Sequence, residues 1–254
     1  MSERTKFLIF AAPRTGSTYL VDFLHAVPET RCCAELFQKD RIVFRNHEPR
    51  DPRLADIAFR DANPVEFLRL LAEESPPCRR FGCKVVGLHA LRPTPEFLNQ
   101  IGRDRSWKKI YLWRDDLFEQ AVSFLLAERH FGEDLWERTP EARRIEMSPQ
   151  DLLARLHLLQ REYLAIEAVL AAAHPEDVFS LDYRDLGEPA TVGKLLRFLD
   201  VPGPLIDAAT RAMAPGGERE FKPGPALAQR IKNFAEVRQF LLNSRYRRFV
   251  EPSG

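Results

Sequence analysis

The stretch Lys6–Val27, KFLIFAAPRTGSTYLVDFLHAV, decides the fold of this chain. Its first part, Phe7–Ala12, is an unbroken apolar run with the length of a β-strand. Its last part carries apolar residues at helical spacing, namely Tyr19, Leu20, Phe23, Leu24 and Val27. The polar sequence PRTGST, residues 13–18, separates the two parts. The pattern therefore predicts a strand, a tight loop and a helix.

The loop between strand and helix predicts a site for an anion. This arrangement points several backbone N–H groups and the positive end of a helix dipole at one place. Gly16 lets the backbone pass close to a ligand, and Arg14 adds a permanently charged guanidinium. Thr15, Ser17 and Thr18 add hydroxyl donors. We expect a phosphate or sulfate group here; the alternative is an ordinary capped helix after an edge strand.

Composition and charge narrow the classes of function. With 254 residues, 44% of them hydrophobic and 30% charged, the chain is typical of a globular protein, and we expect one domain spanning residues 1–254. The net charge of +1 gives no overall attraction to nucleic acid or to a membrane surface. No apolar run approaches the roughly 20 residues that span a bilayer. The apolar start lacks the features of a signal peptide, so we expect a cytoplasmic protein.

The cysteines indicate free thiols and no metal site. Cys32 and Cys33 are adjacent, and Cys78 and Cys83 are separated by four residues. Neither spacing is that of a zinc site, and adjacent cysteines bridge each other only with strain.

The remaining pattern predicts an α/β fold. Strands are predicted at 81–88, 109–113 and 178–181, and helices at 95–101, 117–130, 148–173, 191–199 and 226–250. Residues 31–38 are predicted to be a short extended segment, and residues 202–225 to be irregular. Residues 39–80 read as a polar, proline-broken excursion with a helix from Asn63. The alternation predicts a central, mostly parallel sheet with helices on both faces.

The loop differs from a Walker A motif, since it has no lysine after Gly16 and lacks the first glycine. It resembles the PRSGST-type 5′-phosphosulfate loop of sulfotransferases, which use 3′-phosphoadenosine-5′-phosphosulfate (PAPS). Together with Glu35-Leu36-Phe37-Gln38, it is similar to the bacterial trehalose sulfotransferase-like family, which also resembles lipopolysaccharide sulfotransferases. The resemblance implies a P-loop-like, three-layer fold. It also implies that Arg14 and the loop stabilise charge on the bridging oxygen as the nucleotide product, PAP, leaves.

A second constellation follows the strand at 109–113. Arg114 stands at its carboxyl end and Ser123 lies about two turns into the next helix, so both can meet one phosphate. The alternative is an arginine paired with the neighbouring Asp115 and Asp116, and a serine that faces solvent. The resemblance implies that Arg114 and Ser123 bind the nucleotide's 3′-phosphate.

Three side chains are candidates for the chemistry of transfer. Transfer to an alcohol requires removal of the acceptor's proton, and the resemblance assigns this general-base role to Glu35. The alternatives are a surface carboxylate at Glu35 and a base at His89. Lys84, inside a predicted strand, could contact the transferring group from the sheet edge; otherwise it is a strand-edge lysine with a solvated head group.

The resemblance implies transfer of a sulfuryl group from PAPS to a hydroxyl of a carbohydrate or glycolipid, with release of PAP and without a metal ion. Residues 39–80 are expected to set acceptor choice, and the family suggests a homodimer. Two alternatives stay open. One is a nucleotide kinase or NTPase on a related fold, against which the missing Walker lysine counts. The other is a non-catalytic PAP-binding protein.

Overall fold

The computed structural model describes residues 4–38, 40–44, 49–75, 78–86, 95–129, 144–213, 216–218, 220–221, 227–243 and 247. The chain divides into two compact units. The first unit comprises Met1–Trp113 and Glu162–Phe221, and the second comprises Arg114–Arg161 and Lys222–Gly254.

The first unit is built on a five-stranded sheet in which every pairing is parallel. The strands are β1 (Thr5–Ala11), β2 (Thr30–Glu35), β3 (Arg80–Val86), β4 (Trp107–Trp113) and β5 (Val178–Asp182), in the order β2-β3-β1-β4-β5. The predicted α/β class with a central parallel sheet is confirmed. The segment predicted only as extended contributes the edge strand β2.

Helices follow the strands along the chain. They are α1 (Ser17–Ala26), α2 (Ile57–Ala62), α3 (Pro64–Glu74), α4 (Pro95–Arg103), α5 (Leu117–Arg129), α6 (Pro149–Leu170), α7 (Pro189–Phe198), α8 (Gly203–Met213), α9 (Leu227–Arg230) and α10 (Phe234–Leu242). Helix α6 begins in the second unit and ends in the first. Within the described parts of the chain, no helix combines the length and the apolar character needed to cross a membrane.

The alternation of side chains along the central strand β1 creates two cores. Phe7, Ile9 and Ala11 point into one cluster, and Leu8 and Phe10 point into the other; all five are fully buried. Buried side chains of α1, α7 and α8 complete the first cluster, here the α1-side core. Those of α3, α4 and the end of α6 complete the second, the α3-side core. Helices on both faces explain why β1 is apolar from Phe7 to Ala11.

Two predictions of irregular structure differ from the structure. The prediction for residues 202–225 is wrong at 203–213, which form α8. Gly203 and Pro204 lie in the first turn of α8, where proline is tolerated, and Ile206 and Met213 then reach the α1-side core. The excursion at 39–80 contains α2 as well as the predicted α3. Helix α2 begins where the Asp56 carboxylate accepts a hydrogen bond from the Ala58 N–H at 2.8 Å.

In the second unit, a reciprocal pair of hydrogen bonds joins the segment before α6 to the start of α10. The side chain of Asn233 accepts from the Met147 N–H and donates to the Met147 carbonyl, both at 3.0 Å. Ile145 and Ile231 form a parallel bridge beside them, and the rings of Phe118 and Phe234 stack with centroids 6.4 Å apart.

The cysteines are free thiols, as predicted, and their burial predicts their reactivity. Burial raises the pKa of the Cys33 thiol to about 12 and raises the pKa values of Cys32 and Cys83 well above the ordinary range. Cys78 is only half-buried.

We expect iodoacetamide at pH 8 to label Cys78 alone in the folded protein, and all four cysteines after denaturation, as measured by mass spectrometry. Fast labelling of the other three in the native state would contradict this packing.

Candidate functional site

The loop that follows β1 is held in shape by its own backbone and by one buried hydroxyl. The Thr15 hydroxyl, fully buried, donates to the Ala12 carbonyl at 2.9 Å. Arg14 and Gly16 both have positive φ, 67° and 76°, and Gly16 caps the amino terminus of α1. The predicted strand–loop–helix is therefore present, and the amino end of α1 lies next to the carboxyl-terminal end of β1.

The three hydroxyl residues of the loop have different surroundings. The Thr15 hydroxyl donates inside the loop, so this side chain contributes to the shape of the loop. Ser17 is buried at the start of α1, whereas Thr18 is exposed in its first turn. The side chain of Arg14 is exposed at the rim of the loop.

A tight contact at Gly16 fixes the loop against a later part of the chain. A Cβ atom at this position would lie 2.7 Å from Cδ1 of Leu186 and 3.2 Å from Cδ2 of Tyr183. Both residues belong to the 3₁₀ turn, Tyr183–Gly187, that follows β5. Glycine is required here for two reasons, the left-handed backbone and the lack of space.

The centre of the candidate site is the ammonium group of Lys84. Its Nζ lies 2.8 Å from Oε1 of Glu35 and donates to the Thr18 hydroxyl at 3.2 Å. The Lys84 side chain is only 3% exposed, whereas that of Glu35 is 28% exposed. The structure thus brings together three residues predicted to act in the site, from β3, from the end of β2 and from the first turn of α1. The carboxylate is open to solvent on one side, while the ammonium is enclosed.

An irregularity in the β2–β3 pairing places Glu35 beside Lys84. Cys33 pairs with Cys83, but the next pairing joins Glu35 to Lys84, so Ala34 is an extra residue on β2. Cys33 lies in the α3-side core, and strict alternation would direct Glu35 to that same side. The bulge turns the carboxylate to the face of Lys84 instead. Bulges commonly redirect a side chain in this way next to active sites.

The two residues predicted to bind the 3′-phosphate belong to the second unit. Arg114 is buried, directly follows the last residue of β4, and forms an ion pair with Glu119 in the first turn of α5. The Oε1 atom of Glu119 also lies 3.1 Å from Nη1 of Arg230. Ser123 is half-buried one turn further along α5. His89 lies outside the described residues.

Sequence reasoning did not find two of these contacts. Arg230 shares the carboxylate of Glu119 with Arg114, although more than a hundred residues separate the two arginines. The segment around Tyr183 and Leu186, which lies between the strand predicted at 178–181 and the helix predicted at 191–199, packs directly on Gly16. Both contacts join residues far apart in sequence, and the sequence near Arg230, Tyr183 and Leu186 gives no local signal of them.

The packing at Gly16 predicts a specific loss of stability. Gly16→Ala places a Cβ against Leu186 at positive φ, so we expect the free energy of unfolding to fall by about 1–3 kcal/mol. Gly203→Ala is the matched control, since nothing lies within 4 Å of a Cβ there and the residue begins a helix. The control should be neutral or stabilising by up to about 1 kcal/mol. Urea unfolding measures both, and equal stabilities for the two variants would contradict the contact.

Comparison with known proteins places the fold. No protein-family model matches the chain. Nodulation protein H of Rhizobium tropici is 24% identical to this chain over an alignment of 255 positions, which covers 96% of this chain and 92% of that protein. The mouse sulfotransferase SULT7A1 complexed with PAP gives a TM-score of 0.47 at 15% identity, covering 100% of this chain and 76% of that one. The sulfotransferase STF9 from Mycobacterium avium gives a TM-score of 0.50 at 10% identity, covering 95% of this chain and 76% of that one. The likeness to STF9 confirms the predicted resemblance to sulfotransferases at the level of the fold: this chain has a sulfotransferase fold.

Proposed function

We propose that the protein transfers a sulfuryl group from PAPS to a hydroxyl acceptor and releases PAP. One observation carries the proposal: the Lys84 ammonium lies within hydrogen-bonding distance of both the Glu35 carboxylate and the Thr18 hydroxyl. A potential base and the amino end of a helix are thereby joined through one buried cation. Such a group can meet an oxyanion and a reacting hydroxyl at the same time.

The loop would hold the 5′-phosphosulfate. The backbone N–H groups at the start of α1 have no partner within the helix, so an anion can accept from them. Gly16 allows the left-handed turn that begins α1 and leaves room for Leu186 and Tyr183, and the exposed side chain of Arg14 can reach an anion. Their combined role is to bind the donor and stabilise negative charge on the bridging oxygen.

The transfer itself exchanges one S–O bond for another. The bond from sulfur to the 5′-phosphate oxygen breaks, and a bond from sulfur to the acceptor oxygen forms. The proton of the acceptor hydroxyl goes to the carboxylate of Glu35, which acts as the general base. Lys84 holds this carboxylate in place, and its ammonium can donate to a sulfuryl oxygen as charge develops. The proposal includes no metal ion, since the sulfuryl group carries less charge than a phosphoryl group.

For the acceptor we propose a carbohydrate or glycolipid hydroxyl, on the ground of the sequence resemblance around Glu35. The chain leaves β2 at Glu35 and enters residues 36–44, which are followed by α2 and α3. In this proposal the excursion at residues 39–80, which contains α2 and α3, shapes the acceptor site. For the 3′-phosphate we propose Arg114 and Ser123, together with the neighbouring Arg230.

Replacing the base tests the chemistry. Glu35→Gln keeps an oxygen for Lys84 to bond but removes the ability to accept a proton. We expect transfer from radiolabelled PAPS to a panel of carbohydrate acceptors, beginning with trehalose, to fall roughly 100- to 10,000-fold. The Kd for PAP should stay within about twofold of the wild type, as measured by calorimetry.

Glu29→Gln is the matched control for this experiment. Glu29 precedes the first residue of the same strand and pairs with Arg79 at 3.2 Å, so its variant removes a comparable charge from the opposite end of β2. Full activity of Glu35→Gln would exclude Glu35 as the base. A wild-type protein that binds ATP with Mg²⁺ but not PAP would favour a kinase, and one that binds PAP but sulfates no acceptor would favour a binding protein.

Removing the buried arginine tests the 3′-phosphate assignment. A charge-assisted hydrogen bond contributes about 1.5–3 kcal/mol, so Arg114→Ala should raise the Kd for PAP roughly 10- to 100-fold. Adenosine 5′-phosphosulfate, which has no 3′-phosphate, should bind the variant almost as it binds the wild type. Arg155→Ala removes another arginine–glutamate pair of the second unit, with Glu128 at 2.7 Å, and should change neither affinity. Equal losses for the two ligands would overturn the assignment.

A further inference from the structure

A second buried cation lies close along the chain to Glu35. Arg60, on α2, is 1% exposed, and its Nη1 donates to three backbone carbonyls: Leu36 at 3.0 Å, Gln38 at 2.7 Å and Arg41 at 3.1 Å. The other edge of the guanidinium meets the carboxylate of Asp61, with Nε at 2.8 Å and Nη2 at 2.7 Å. Burying a guanidinium is costly unless such partners are present, so this arrangement is strongly specified.

The three carbonyls belong to the turn that immediately follows Glu35. After this turn the chain runs back beside β2. The Val43 N–H donates to the Glu35 carbonyl at 3.0 Å, and the Ala34 N–H donates to the Phe44 carbonyl at 3.4 Å. An antiparallel bridge between Gln38 and Arg41 closes the turn. Arg60 thus binds the inside of a hairpin whose first arm carries Glu35.

The position of Glu35 depends on this hairpin because β2 is the edge strand of the sheet. Among the described strands, β3 alone pairs with β2, and that pairing is interrupted at Ala34, just before Glu35. On the other side of Glu35, the described backbone partner is the returning arm at Val43. The carboxylate therefore lies between a bulge and a turn, and Arg60 holds the turn.

We infer that Arg60 is a positioning residue for catalysis, which acts by fixing the hairpin that holds the Glu35 carboxylate beside Lys84. The inference rests on the proposed function, in which Glu35 is the base. The guanidinium holds the three carbonyls through Nη1 and the Asp61 carboxylate through Nε and Nη2 at the same time, whereas the single ammonium of lysine cannot hold both sides. A misplacement of about 1 Å in a reacting group can cost roughly 100-fold in rate.

The test is Arg60→Lys. We expect kcat for sulfuryl transfer to fall roughly 10- to 100-fold, while the KM for PAPS and the Kd for PAP stay within about twofold. A milder variant, Asp61→Asn, leaves Arg60 in place but weakens its charged partner, and it should lower kcat several-fold in the same direction. This second variant gives a result even if Arg60→Lys does not fold.

Arg80→Lys is the control for a purely structural effect. Arg80 is also 1% exposed and donates to Thr30 Oγ1 at 2.9 Å and to the carbonyls of Asp200 at 3.1 Å and Pro28 at 2.9 Å. It lies at the amino-terminal end of β3, whereas Glu35 lies at the carboxyl-terminal end of the neighbouring strand β2. Its variant should lose stability to urea as Arg60→Lys does, yet keep kcat within about twofold. A similar loss of kcat in both variants would overturn the inference.

A double-mutant cycle with Glu35→Gln separates the two proposals. If Arg60 acts through Glu35, adding Arg60→Lys to Glu35→Gln should lower kcat no further. Fully additive losses would overturn the role of Arg60 and leave Glu35 as the base. Full activity of Glu35→Gln alone would instead exclude Glu35 as the base, whatever the effect of Arg60→Lys, and a wild-type protein that sulfates no acceptor would overturn the proposed function.

Discussion

The arrangement of the candidate site depends on how the protein buries the ammonium group of Lys84. A charge inside a sheet is tolerated only with close partners, and here these are the Glu35 carboxylate and the Thr18 hydroxyl. Satisfying this one cation links β3, the end of β2 and the first turn of α1. The same contact that solves a problem of burial therefore assembles a carboxylate and a helix amino terminus, the two kinds of group that transfer of an anionic group to an alcohol requires.

The stability for this arrangement comes from the two cores on either side of the sheet. At Gly82 a Cβ atom would lie 2.2 Å from the ring of Phe7, so the glycine leaves room for an aromatic side chain in the centre of the α1-side core. Buried ion pairs, by contrast, are weak sources of stability, since desolvation offsets most of their attraction. The pair of Lys84 and Glu35 therefore adds little stability of its own, and apolar packing stabilises the scaffold that holds it.

Much of the fold was predictable because its signals are local. One short stretch of sequence holds the apolar run of β1, the glycine of the loop and the helical spacing of α1. Most of the later strands and helices likewise show their own periodicity within a few residues. Helix α8 was missed because Gly203 and Pro204 are typical of irregular segments, yet both are acceptable in the first turn of a helix. Candidate residues Glu35, Lys84 and Thr18 could be named from the sequence, but not their mutual contacts.

The sequence by itself determined the strand–loop–helix at residues 5–26, most of the later strands and helices, and the class of fold, because periodicity and turn residues act over a few positions. The tertiary structure alone decided which face Glu35 presents, since that depends on one extra residue in the pairing of β2 with β3. It also decided that Arg60 lies inside the hairpin after Glu35, and that Tyr183 and Leu186 close over Gly16. These contacts join residues far apart in the chain, and only folding brings their partners within reach.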